Sequence, residues 1–135
     1  MNTPIYDFQG GNVDEIAASP SKATERKAYM FARHVTLQLK PYVEKEFSVA
    51  FEKEMLPLLR KQRGFVDELL LITPEKREVV AISLWETKEH AETYNREVYP
   101  QIEKIVARFI EGVPVVKKFE TEYSTFHKIA FAATV

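Results

Sequence analysis

Between residues 30 and 39 apolar and polar side chains alternate, with Phe31, Arg33, Val35, Leu37 and Leu39 in one phase and Met30, Ala32, His34, Thr36 and Gln38 in the other. A period of two marks a strand. Lys40-Pro41 ends it, and the period then changes. Val43, Phe47, Ala50, Phe51, Met55, Leu58 and Leu59 recur at spacings of three and four, with Glu44, Glu46, Glu52 and Lys53 elsewhere. That spacing predicts a helix with one apolar stripe. Pro41 is expected in its first turn, where a missing N–H costs nothing. Pro57 removes an i to i−4 hydrogen bond, which predicts a kink or break over residues 53–57 before a last turn ending in Arg60, Lys61, Arg63 and Gly64.

Residues 65–73 are strongly apolar at Leu69 to Ile72, and residues 79–86 form a further strand-like run. The short connection Pro74-Glu75-Lys76-Arg77 predicts an antiparallel hairpin between them. Thr87 then suits a helix N-cap, with Glu89 near the positive end of the helix dipole and Ala91, Tyr94 and Val98 on the inner face. Tyr99-Pro100 is expected to break this helix and start another, with Ile102, Ile105, Val106 and Phe109 buried and Gly112 just past its end. A last strand is expected over residues 113–126. Residues 1–28 show no sustained period and are expected to be an arm, with Ile5, Tyr6, Phe8 and Ile16 as candidate anchors. The domain is then residues 29–127, with a tail at 128–135.

The order β-α-β-β-α-β predicts an α+β, ferredoxin-like domain in which both helical stretches cover one face of a four-stranded antiparallel sheet. The other face is also expected to be apolar, because residues 69–72 and 79–84 offer apolar side chains in both phases. A second copy is the expected cover, so the chain is read as a homodimer.

Composition narrows the function classes. At 135 residues, with 45% hydrophobic and 29% charged residues, the chain suits one globular domain. Lys plus Arg number 19 against 20 for Asp plus Glu, so no broad field attracts a polyanion, and nucleic acid is not an expected partner. No stretch approaches the ~20 apolar residues of a membrane span, no signal sequence is visible, and cysteine is absent, so a cytoplasmic protein with no membrane partner is expected. The missing cysteine also removes thiolate nucleophiles. The three histidines, His34, His90 and His127, lie on separate elements, and no metal site is expected. Ser48, Ser83 and Ser124 lack a nucleophile elbow, and no glycine-rich phosphate loop exists. The carboxylate pairs Glu52 with Glu54 and Asp67 with Glu68 are expected on solvated faces.

Two residues stand out. Trp85, the single tryptophan, ends the third strand where a pocket between sheet and helices would open, and it either lines that pocket or seals the strand end against Tyr94 and Phe51. Arg33 shares its phase with Phe31, Val35 and Leu37, so it must pair with an acid, snorkel to the edge or meet an anionic ligand.

The runs Phe31-Ala32-Arg33-His34-Val35, Arg63-Gly64-Phe65 and Leu84-Trp85-Glu86-Thr87-Lys88-Glu89-His90-Ala91, followed by Tyr94, carry a likeness. From residue 31 to about residue 126 the chain resembles the antibiotic-biosynthesis-monooxygenase-like domains of the dimeric α+β barrel superfamily. The resemblance implies a small apolar pocket between sheet and helices and, in some members, oxidation of a quinol or polyphenol by dioxygen without a cofactor. In quinone-forming members the Trp works with an Asn before it and a Tyr after it, and those places here hold Ala81 and Ala91. In heme-degrading members a strand Asn and a helix His handle the porphyrin, and those places hold Val35 and Asn95, which disfavours heme. The reading is therefore a cofactor-free monooxygenase-like protein for a small aromatic molecule, or a noncatalytic small-ligand-binding or stress-related domain of the same fold. The candidate pocket residues are Trp85, Tyr94, Arg33, Phe51 and Asn95. No cofactor is expected.

Overall fold

The computed structural model describes residues 30–125. The expected arm at residues 1–28 and tail at 128–135 lie outside them, as do Phe126 and His127. One unit spans Phe31–Glu120, while Met30 and residues 121–125 belong to a second, largely undescribed unit in which the Thr121 N–H donates to the Met30 carbonyl at 2.9 Å.

The first unit runs β1 (Phe31–Leu39), α1 (Glu44–Ala50), a π-helical turn (Phe51–Met55), α2 (Leu56–Arg60), β2 (Phe65–Ile72), β3 (Glu78–Trp85), α3 (Lys88–Glu97), α4 (Tyr99–Val106) and β4 (Ile110–Glu120). The sheet order is β2-β3-β1-β4, with every neighbouring pair antiparallel. This is the ferredoxin-like α+β fold anticipated from the periodicities.

β1 buries its odd positions and leaves Ala32, His34 and Thr36 partly covered and Gln38 exposed, so the two-residue period puts Val35, Leu37 and Leu39 under the helices. Phe47, Ala50, Met55, Leu59, Tyr94, Tyr99, Ile102 and Val106 meet them from above and complete one core. The helix interruption falls at residues 51–55, just before Pro57. Proline cannot donate to the carbonyl four residues back and its ring collides with it, and the wider π turn admits that misfit. Pro41 lies in the turn before α1 rather than inside it, and Tyr42 there takes φ 63°.

Thr87 caps α3 as expected, its hydroxyl accepting from the His90 N–H at 3.1 Å. The α3–α4 break falls at Val98, one residue before the expected place. Gly112 is not a helix end: α4 stops at Val106, and Gly112 sits inside β4 with φ 73°. The register shifts there, because Thr36 pairs with Val115 while Gln38 pairs with Glu111. Pro114, which has no N–H to give a ladder, is tolerated at that bulge on an edge strand. The last strand accordingly begins three residues earlier than expected and stops at Glu120.

The two glycines at positive φ separate backbone strain from crowding. A Cβ at Gly64 (φ 81°) would collide with the His90 imidazole, whereas one at Gly112 would meet nothing within 4 Å. Gly112→Ala is expected to cost about 1–2 kcal/mol from the left-handed backbone alone. Gly64→Ala should cost more, because His90 would have to leave Thr87. Urea unfolding of the two variants side by side checks the order, and equal losses would show that His90 yields freely.

Candidate functional site

Strand alternation delivers Arg33 into the core. It is 2% exposed, and in register it stands beside Ser83 of β3, which in turn stands beside Glu68 of β2. The Arg33 guanidinium donates from Nη2 to Asn95 Oδ1 at 2.9 Å and lies over the rings of Tyr99 at 4.4 Å and Tyr94 at 5.1 Å. Those ring faces give a desolvated cation partial compensation. Among the described residues Arg33 has no ion-pair partner, and its buried Nε has no hydrogen-bond partner. A buried cation without an anion is costly, so this arrangement differs from the acid pairing that is the commonest outcome for such a residue.

Glu68 is the residue sequence reasoning missed. The register between β2 and β3 slips between Phe65 and Asp67, after which Glu68 stands beside Ser83 and Leu70 beside Ala81, both on the helix face. The expected solvated carboxylate pair is therefore split: Asp67 is exposed, while Glu68 turns into the core layer and its Oε1 is buried with no partner. Burial pushes the Glu68 carboxyl up to about 8; Arg33 opposes the shift and Asp67 adds to it. Burial also raises the Tyr94 and Tyr99 hydroxyls, again against Arg33, so both remain protonated. The signal for Glu68 was its phase with Leu70, but a bulge erases phase information across it.

Arg33, Glu68, Tyr94 and Tyr99 line one cavity between sheet and helices, with Val35, Leu70, Ala81 and Ser83 on its floor and Phe47, Phe51, Met55 and Leu59 on its wall. The cavity volume is about 50 Å³. A water needs about 10–15 Å³ and a benzene-sized guest about 150 Å³, so the cavity as it stands holds a few waters, and its wall must move to admit a single ring. The π-helical turn supplies both Phe51 and Met55, and Met is the side chain that most readily changes shape.

Three of the five candidate pocket residues, Arg33, Tyr94 and Phe51, come together here. Trp85 does not line the cavity. It is fully buried, donates from Nε1 to Ser83 Oγ at 2.9 Å, and contacts Tyr94 at 4.8 Å and Phe65 at 5.6 Å between ring centroids. Rings that close are already an aromatic pair, so no flat ligand fits between Trp85 and Tyr94. Asn95 holds Arg33 from the far side, in a shallow depression shared with Phe31, Glu92 and Lys118. The two described histidines stay apart: His34 lies edge-on to Phe119, and His90 binds Thr87. No cluster of three or more metal-ligating side chains forms among the described residues, and no described helix is long and apolar enough to cross a membrane.

The raised Glu68 carboxyl has a stability consequence. The folded chain keeps a proton that the unfolded chain loses near the ordinary value of 4.5, so this group's contribution is most favourable below 4.5 and declines as pH rises through about 8. Glu68→Gln should remove that part of the decline. Urea unfolding at pH 5, 7 and 9 is the check, and an unchanged slope in the variant would show that Glu68 is ionised in the native state.

No protein-family model matches the sequence, and no curated protein matches it. Solved structures do match its fold. A monooxygenase from Streptomyces coelicolor, determined with nanaomycin D, is 12% identical with TM-score 0.63, covering 78% of this chain and 98% of that one. SnoaB, a cofactor-independent oxygenase from Streptomyces nogalater, is 14% identical with TM-score 0.63, covering 74% and 100%. A candidate antibiotic biosynthesis monooxygenase from Bordetella bronchiseptica is 17% identical with TM-score 0.60, covering 70% and 99%. At these identities the shared property is the fold, and this chain has the ferredoxin-like α+β fold of the antibiotic-biosynthesis-monooxygenase-like structures.

Proposed function

We propose that the chain is a monooxygenase of the cofactor-free type that acts on a small quinol or polyphenol in the cavity beside Arg33. The observation that carries this reading is a fully buried arginine, without an ion-pair partner among the described residues, facing a largely apolar cavity. Dioxygen reacts with an electron-rich phenolate far more readily than with the phenol. A fixed cation in a dry site stabilises that phenolate where it forms. In the overall reaction a quinol and one dioxygen give a hydroxyquinone and one water. One oxygen atom replaces a ring hydrogen, and the other leaves as water with the two hydrogens released. A second reading, binding without turnover, is favoured by one specific observation. Ala81 lines the cavity at the place where the resemblance implies an asparagine in quinone-forming relatives.

An oxygen electrode separates the two readings. With a single-ring quinol and no added metal or flavin, uptake above the buffer rate is expected, and Arg33→Met should slow it about 100-fold, as removal of an oxyanion donor does. Saturable binding with no uptake above that rate would leave only the second reading.

The same proposal includes a homodimer through the sheet face away from the helices. Leu69, Leu71, Val115 and Phe119 lie there, each between 47% and 52% exposed, alongside Val80, Ile82 and Leu84. A patch of that kind is seldom left in water. Light scattering at micromolar concentration should give twice the chain mass, and Leu69→Glu with Leu71→Glu should halve it. A monomeric mass for the unaltered protein would remove the dimer.

A further inference from the structure

The resemblance gives Glu68 no role, yet it is the carboxyl group that lines the cavity with Arg33. Arg33 and Glu68 stand in one row across the sheet with Ser83 between them. Strands lie about 4.8 Å apart, so the two backbones are separated by about 10 Å. Ser83 accepts from Trp85 Nε1 and bonds to neither Arg33 Nε nor Glu68 Oε1. Arg33 Nε and Glu68 Oε1 are both buried, and neither has a partner among the described residues. A buried polar atom left unpaired is costly, and two in one cavity point to something that satisfies both.

We infer that Arg33 and Glu68 together form a receptor for a single-ring monoanion with a second, uncharged oxygen acceptor, the anion meeting Arg33 and the acceptor taking the Glu68 carboxyl proton. The inference rests on the cavity being a ligand site, as proposed above, and not on turnover.

Charge determines the ligand class. The groups facing Glu68 are Arg33 from β1, Tyr94 from α3 and Tyr99 from α4, with Asp67 next to it on its own strand. The wall from α1, the π turn and α2 contributes Phe47, Phe51, Met55 and Leu59, none of them charged. On the far side of Arg33, Glu92 and Lys118 offset each other in sign. With Glu68 and both tyrosines protonated near neutral pH, the cavity carries the single positive charge of Arg33. A monoanion neutralises it, a dianion overcharges it, and a neutral ligand leaves the cation unpaired. Once Glu68 ionises, its carboxylate faces the same ring and repels the anion. Affinity for a monoanion should therefore fall as pH rises through about 8.

The test uses 2,4-dinitrophenol, a phenolate at pH 7 and at pH 9 with neutral nitro oxygens beside the charge, and its uncharged methyl ether, 2,4-dinitroanisole. Isothermal titration of the full chain should show phenolate affinity about tenfold weaker at pH 9 than at pH 7. In Glu68→Gln, which keeps the shape and the donor, affinity should be the same at both pH values. In Arg33→Met the phenolate should lose its advantage over the ether. Equal wild-type affinity at both pH values, a tenfold loss persisting in Glu68→Gln, or an ether as tight as the phenolate would each overturn the inference; the wild-type comparison needs no variant to fold. Oxygen uptake with a quinol but no pH-linked anion binding would overturn this inference and leave the oxygenase reading. The reverse result would leave this inference and remove turnover.

Discussion

The structure depends on keeping one cation, Arg33, inside an apolar layer. A guanidinium cannot shed its charge, so the fold must surround it with groups that tolerate a desolvated positive charge. Two tyrosine rings, an asparagine oxygen and a distant protonated carboxyl do this here. They come from three elements: α3 supplies Tyr94 and Asn95, α4 supplies Tyr99, and β2 supplies Glu68. The break at Val98 lets two tyrosines five residues apart approach the same guanidinium from consecutive helices. A continuous helix would place residues 94 and 99 about 140° apart, on different faces.

Irregularities in the backbone locate the cavity. The slip between Phe65 and Asp67 turns Glu68 inward, the π turn before Pro57 sets Phe51 and Met55 on the wall, and the Gly112 bulge bends the edge strand beside β1. Bulges and π turns each insert a residue that regular hydrogen bonding cannot accommodate, which is why they re-aim neighbouring side chains. Trp85 has the opposite role. Held by Ser83, Tyr94 and Phe65, it closes the strand end and fixes the tyrosine that faces Arg33. Its effect on the cavity passes through Tyr94.

Much of this was legible in the sequence, element by element. The two-residue period of residues 31–39 and the three-and-four spacing of residues 43–59 specify a strand and a helix, because each period brings apolar side chains to one side of a regular backbone. Thr87 as a cap, Pro57 as a disruption and the hairpin at 74–77 follow from local hydrogen bonding. The direction of Arg33 was legible too, since it shares its phase with Phe31, Val35 and Leu37. What covers Arg33 was decided only by tertiary structure. Asn95 and Tyr99 lie more than sixty residues away in sequence, and Glu68 turns inward because of a register slip that no local pattern reports. Period-two patterning carries facing information only while the register holds, and a side chain's ionisation depends on how much water the assembled layers exclude. The order of elements was therefore written in the chain, while the identity and protonation of the groups around Arg33 arose only when sheet and helices closed over it.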